Sequence, residues 1–155
     1  MQMVLKPITK QNRAEALTLH VAKGQEGFVE SVAQCLKEAD EYDVWRPVAL
    51  YVEGKMVGFA MYGFFPMYLP AGRVWMDRLL IDERFQHKGY GKAAMQLLLE
   101  QLKVEYGDQP VYLSVVPGND TARKLYASLG FLELEEKDVH GESVMIHPYK
   151  FMGIS

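Results

Sequence analysis

Asp82-Glu83-Arg84-Phe85-Gln86-His87-Lys88-Gly89-Tyr90-Gly91-Lys92 joins a hydrophobic, β-prone run, Arg73–Ile81, to a helix-prone run, Gly91–Tyr106. The first amides of a helix have no intrahelical acceptor, and the helix dipole adds partial positive charge there. Glycines at alternate positions remove the Cβ atoms that would hold a phosphate away from those amides. Arg84, His87, Lys88 and Lys92 put further positive charge nearby. This chemistry suits a pyrophosphate-bearing ligand, although on the glycines alone a turn with solvated basic residues fits equally well. Gly89-x-Gly91-x-x-Ala94 also satisfies a dinucleotide fingerprint, but its glycines come well after the end of the strand at Ile81. The antiparallel half that precedes them does not resemble a mononucleotide-binding unit either. A Walker loop is excluded, because the position five residues before Gly91-Lys92 is Gln86.

Downstream, Ala94, Leu98 and Leu102 form one stripe of the Gly91–Tyr106 helix, and Val111–Val115 reads as a compact buried strand. Asp120–Leu129 reads as a helix with Ala122, Leu125, Tyr126 and Leu129 on its stripe and Gly130 at C′. A last hairpin pairs Phe131–Lys137 with Ser143–Ile146 around His140-Gly141. Upstream, Val48–Val52 and Met56–Tyr62 flank Glu53-Gly54-Lys55, a hairpin signal, and Gly63–Gly72 is a long aromatic connection. Val4–Pro7 reads as a first strand. Thr9 then caps a helix carrying Leu17 and Val21, and beyond Gly24 the residues Phe28, Val32, Cys35 (or Leu36) and Ala39 mark a second helix. Strand–helix–strand–helix–strand order in the second half demands a right-handed crossover with parallel pairing, while the hairpins add antiparallel strands. The expectation is an α/β (α+β) fold: a mixed central sheet flanked by helices on both faces, as one domain over residues 1–155, with no visible repeat or linker.

Seventeen basic against twenty acidic residues give a net charge of -3, which argues against a nucleic-acid platform and leaves room for a cationic small substrate. Cys35 is the only cysteine, so neither an internal disulfide nor a thiolate zinc cage can form. His20, His87, His140 and His147 lack the helical spacing of a metal pair, so no metal is expected. The N-terminus has no apolar stretch long enough for a secretory signal, and Met56–Leu69 is interrupted by Gly58, Gly63 and Pro66. The chain reads as cytoplasmic, with no membrane partner.

Gln86-x-x-Gly89-x-Gly91 after a strand resembles the coenzyme-A loop of the GNAT superfamily of N-acetyltransferases, whose pattern is Gln/Arg-x-x-Gly-x-Gly/Ala. Asn119-x-x-Ala122-x-x-x-Tyr126-x-x-x-Gly130-Phe131 resembles a second block of that family, in the expected order. The two cover about the second half of the chain. Gly58–Tyr62, Arg73-Val74-Trp75-Met76-Asp77-Arg78, Ile81-Asp82-Glu83-Arg84 and Gly141-Glu142-x-Val144-Met145 are similar to the bacterial spermine/spermidine acetyltransferases. The resemblance implies acetyl-CoA as cosubstrate and a polyamine as the small-molecule amine. It implies that the backbone of Leu79, Leu80 and Ile81 pairs with the pantetheine arm like an added strand. The amides of Gln86, His87, Lys88, Gly89, Tyr90, Gly91 and Lys92 would hold the pyrophosphate. Asn119 would hydrogen-bond the cofactor, and Lys124 would reach its phosphates. Such enzymes are commonly dimers, so a homodimer is also implied.

A primary ammonium has a pKa near ~10.4, so at pH 7 about one molecule in ~2,500 carries the free lone pair, a cost of roughly 4.6 kcal/mol. A carboxylate must take that proton, directly or through water. Asp77, in a strand of hydrophobic residues, is the first candidate base or ammonium anchor; a structural ion pair with Arg78 or Arg73 is the alternative. Glu83 is the second candidate base, or a solvated loop residue. By the family register Tyr126 is the proton donor to the leaving thiolate, whereas periodicity alone makes it a core tyrosine. Glu26 and Glu30, with Phe28 beside them, form a candidate acidic and aromatic wall on the second helix, and Tyr62, Phe64 and Trp75 a candidate apolar channel. Most such residues face solvent or core. Three functions follow: a polyamine acetyltransferase, an acetyltransferase for a peptide N-terminus, lysine or aminoglycoside, and a non-catalytic coenzyme-A-binding module. Retention of both Asn119 and Tyr126 disfavours the last.

Overall fold

A computed structural model describes residues 2–148. The elements are β1 (Met3–Pro7), α1 (Arg13–Ala16), α2 (Val32–Glu41), β2 (Trp45–Val52), β3 (Lys55–Phe65), β4 (Arg73–Ile81), α3 (Tyr90–Tyr106), β5 (Val111–Val115), α4 (Asp120–Ser128), β6 (Leu132–Lys137) and β7 (Ser143–His147). Short 3-10 turns, Glu26–Phe28 and Glu83–Phe85, precede α2 and α3. The seven strands form one mixed sheet in the order β1-β2-β3-β4-β5-β7-β6, antiparallel except where β5 joins β4. The β2–β3 hairpin turns on Glu53 (φ 50°) and Gly54 (φ 79°), the paired positive angles whose twist matches the flanking strands.

Each face of the sheet is covered. Ala94, Met95, Leu98 and Leu102 of α3 pack on Val57, Val74, Met76 and Leu113, whereas Val32, Cys35 and Leu36 of α2 pack on Ala49, Phe59, Met61 and Leu80. Among the described residues no helix is long and apolar enough to cross a membrane.

Two details of β4 make the site. First, Met61 stands opposite Arg78 and Tyr62 opposite Met76, so Asp77 is an extra, unpaired residue at a β-bulge. A bulge bends its strand, increases local twist and re-aims a side chain. Second, β4 and β5 pair only at Val74–Val111 and Trp75–Tyr112. Beyond that point the strands separate. β5 is short, and Pro117, which cannot donate to a ladder, follows it.

The N-terminal helices differ from expectation. Rather than running from Thr9 to Val21, α1 is a single turn after Asn12. Thr18 N and Leu19 N donate to carbonyls three residues back, and Thr18 Oγ1 donates to Glu15 O at 2.7 Å, which tightens and ends the helix. Phe28 is not on α2; Ser31 caps that helix, its Oγ accepting from Gln34 N at 3.1 Å.

Candidate functional site

The gap between β4 and β5 opens into a cleft of about 420 Å³. Its walls are Leu79, Leu80 and Ile81 of β4, Ser114 and Val115 of β5, Ala122, Leu125 and Tyr126 of α4, and Asn119 just before that helix. Its floor is Gln86, His87, Gly89, Tyr90 and Gly91. Since β3 pairs with only one side of Leu79–Ile81, the other side of this stretch is an unpaired strand edge facing the cleft. An added extended chain docks on such an edge through main-chain hydrogen bonds.

At the floor, His87 (φ 64°) and Gly89 (φ 80°) both take positive φ before the first amides of α3, a concave arrangement of N–H groups that suits an anion. A Cβ built on Gly89 meets no atom within 4 Å, so the space over it is open. These residues fit a pyrophosphate. Lys88 and Lys92 are exposed beside the loop, and Lys124 is exposed on α4 rather than in the cleft wall. Asn119 caps α4, its Oδ1 accepting from Ala122 N at 3.3 Å, which leaves its amide nitrogen able to donate into the cleft. Tyr126 is held by ring packing against Phe131, at 5.8 Å between centroids, and burial pushes its hydroxyl up to about 12. It therefore stays protonated at neutral pH.

A second compartment of about 290 Å³ adjoins the first, sharing Phe28, Val29, Asp77, Ser114 and Val116. Five carboxylates line it: Glu30, Glu38, Asp77, Asp138 and Glu142. Trp45, Phe65, Tyr68 and Trp75 form its apolar wall. Arg78 lies among the acids, its Nε 2.9 Å from Asp77 and 3.4 Å from Glu30, and its Nη2 3.1 Å from Glu38. Burial pushes the Asp77 carboxyl above its usual range, and neighbouring Arg78 partly opposes that. Burial, then the like charges of Asp138 and Glu30, raise Glu142 as well. Trp75 is 5% exposed, and its indole N–H is a buried donor with no partner among the described residues.

Asp77 thus sits where the compartments meet and is also ion-paired with Arg78, while Arg73 is paired with Glu136. Glu30, Phe28 and Trp75 join it, but four expected residues do not, and one of them, Phe64, is stacked on Tyr106 at 6.2 Å over α3, outside both linings. Tyr62 faces the opposite side of the sheet, 3% exposed, with its hydroxyl 2.9 Å from Glu105, because the alternation of β3 points it with Ala60 toward α3, while the bulge turns Asp77 to the other face. Glu83 is turned to the rim, 3.6 Å from His20 Nε2, outside both linings. Glu26 lies outside both as well: it accepts from Gly24 N at 2.8 Å within its own turn.

Sequence reading passed over Glu38, Asp138, Glu142, Ser114 and Asp82. Glu38 follows Cys35 by one helical turn, a spacing that puts both on one face. The buried Asp82 sits two residues before Arg84 directly after a strand, an Asx-turn signal; its Oδ1 accepts from Arg84 N at 3.0 Å. Burial pushes the Asp82 carboxyl up, but bonds from Arg84 and His20 outweigh it and hold it below its usual value. Its stabilisation is therefore complete above the unfolded carboxylate pKa, about 3.9, and lost as pH falls below that. Urea unfolding should show Asp82→Asn losing less stability than the wild type between pH 5 and pH 3.

An anion cradle and an acidic compartment meeting at one carboxylate, with a protonated phenol in the cradle's wall, describe a group-transfer enzyme joining a phosphate-bearing donor to a cationic acceptor. The model of the acetyltransferase (GNAT) family matches residues 10–131, and the chain belongs to that family. It is 44% identical over 149 residues, covering 94% of this chain and 98% of the relative, to a spermine/spermidine N(1)-acetyltransferase of Bacillus subtilis strain 168. Among solved structures, an aminoglycoside acetyltransferase in complex with coenzyme A superposes with TM-score 0.79 at 17% identity, covering 95% of each chain. The spermidine N-acetyltransferase of Vibrio cholerae, in complex with CoA and spermine, gives 0.70 at 15%, covering 94% of this chain and 93% of that one. At such identities the structural likeness concerns the fold.

Proposed function

We propose that the chain acetylates a primary amine of a polyamine of the spermine and spermidine class, using acetyl-CoA, by direct attack within a ternary complex. The observation that carries this reading is the acidic compartment, lined by five carboxylates and one arginine, opening at Asp77 into the cleft over the glycine loop. A polyamine spaces its ammonium groups by three or four methylenes, so selecting it needs separated carboxylates along an apolar wall. Glu30, Glu38 and Asp77 gather around Arg78, whereas Asp138 and Glu142 come from the β6–β7 connection, and Trp45, Tyr68 and Trp75 supply apolar surface. Desolvated carboxylate–ammonium pairs are specific where exposed ones are weak and screened.

Acetyl-CoA supplies the acetyl group as a thioester. The loop amides from His87 to Lys92 hold its pyrophosphate, since Gln86 N already donates to Glu83 O at 3.5 Å; Asn119 donates to the cofactor, and Leu79–Ile81 present the free strand edge. Asp77, made more basic by burial, accepts the ammonium proton. Tyr126 offers its hydroxyl proton to the departing sulfur. The resemblance to the Bacillus relative supports the choice of amine. Mass-resolved assay of spermidine acetylation tests the reading: Asp77→Asn should lower kcat/KM at least about tenfold, or ~1.4 kcal/mol of transition-state stabilisation. Undiminished turnover by that variant would reduce Asp77 to its ion pair with Arg78.

A further inference from the structure

Gln86 opens the glycine-loop motif, yet its side chain is committed elsewhere. Its amide nitrogen donates to Ile81 O at 2.9 Å and to Gln25 Oε1 at 3.0 Å. A carboxamide nitrogen carries two donors, so both are in use, and the remaining oxygen is an acceptor that repels a phosphate. Gln25 Oε1 is saturated in turn, because Ala22 N also donates to it at 3.0 Å. The Gln25 carbonyl then accepts from Phe28 N at 3.0 Å, closing the turn that leads into the wall of the acidic compartment.

The segment from His20 to Glu30 is strapped across the end of β4 at a second point. Asp82, fully buried, accepts from His20 N through Oδ2 at 3.0 Å, and Glu83 N donates to His20 O at 2.9 Å. Within this segment the only regular structure is the turn Glu26–Phe28. Its far end supplies Phe28 and Val29 to both compartments and Glu30 to Arg78. Side-chain bonds from the loop side therefore fix the approach to those residues, while Val29 packs against the core under α2 and Glu30 pairs with Arg78.

Resting on the reading of the acidic compartment as the amine's, we propose that Gln86 and Gln25 are positioning residues for the amine. Their bond holds the Phe28–Glu30 wall, and the Gln86 side chain is not a ligand of the phosphate-bearing donor. The donor keeps its own contacts, the loop amides and the free strand edge.

The test is a set of variants assayed for KM of spermidine and KM of acetyl-CoA, with calorimetry of coenzyme A alone. Gln25→Met and Gln86→Met should each raise the spermidine KM by about fivefold or more, a larger factor than either raises the acetyl-CoA KM. The double variant should raise the spermidine KM by clearly less than the product of the two single factors, because the two substitutions share the Gln86–Gln25 bond while each also removes one bond of its own. Gln25→Glu retains the accepting oxygen and should return the spermidine KM to within about twofold of wild type, which a general loss of stability would not allow. A Gln86→Met protein that loses coenzyme-A affinity while keeping its spermidine KM overturns the inference, as do additive single effects. Spermidine left unacetylated by the wild type would bring down the proposed function and this inference together; spermidine acetylated with unaltered KM in the variants would bring down this inference alone.

Discussion

Tyr126→Phe will lower kcat about a hundredfold or more at saturating substrates, roughly 2.7 kcal/mol, while coenzyme-A affinity changes far less. The substitution removes one oxygen from a ring that is otherwise held by Phe131, so the packing survives. Burial has already pushed the hydroxyl up to about 12, which fixes it as a donor throughout the physiological range. Because its folded value is raised, its deprotonation cannot produce an alkaline fall in rate between pH 7 and pH 10. Any limb in that window belongs to another group, and Tyr126→Phe should leave its position unchanged. Steady-state rates across that range check both statements. A wild-type rate in the variant would make Tyr126 a packing residue only.

Gly89→Val will abolish measurable coenzyme-A binding, a loss of at least about a hundredfold, without unfolding the chain. At φ 80° a side chain is strained, at a cost of about 1–2 kcal/mol, but a Cβ at this position meets no protein atom within 4 Å. The added bulk therefore projects into the open space that the phosphates need. Gly91 is a different case, since its Cβ would touch Leu125 at 3.6 Å, an ordinary contact. Calorimetry of coenzyme A with Gly89→Val, beside circular dichroism of the same sample, separates lost binding from lost fold. Wild-type affinity would remove the cradle.

Much of the second half is legible in the sequence because its signals are contiguous. The spans of β4 and β5 match their hydrophobic runs, Arg73–Ile81 and Val111–Val115, and α3 starts one residue before the expected Gly91. Loop and α4 motifs each lie within one short stretch, so the amino-acid order alone outlines the proposed donor half of the candidate site. The N-terminal half is harder. Leu17 and Val21 have helical spacing, but Thr18 diverts the backbone, and Leu19 rather than Leu17 is buried. The acceptor half is only partly visible, since Glu38, Asp77, Asp138 and Glu142 come from α2, β4 and the β6–β7 connection. Only the strand order brings them together. Tyr62 misleads for a related reason: the bulge at Asp77, which no sequence signal announces, turns that carboxylate to the face away from Tyr62.

The measurement that bears most directly on the central claim is kcat/KM with acetyl-CoA across an amine panel of spermine, spermidine, a lysine peptide, a peptide with a free N-terminus and an aminoglycoside. The acidic compartment predicts spermine and spermidine above all the others by at least about tenfold. A peptide or an aminoglycoside preferred over both polyamines, or polyamines left unacetylated, would contradict it.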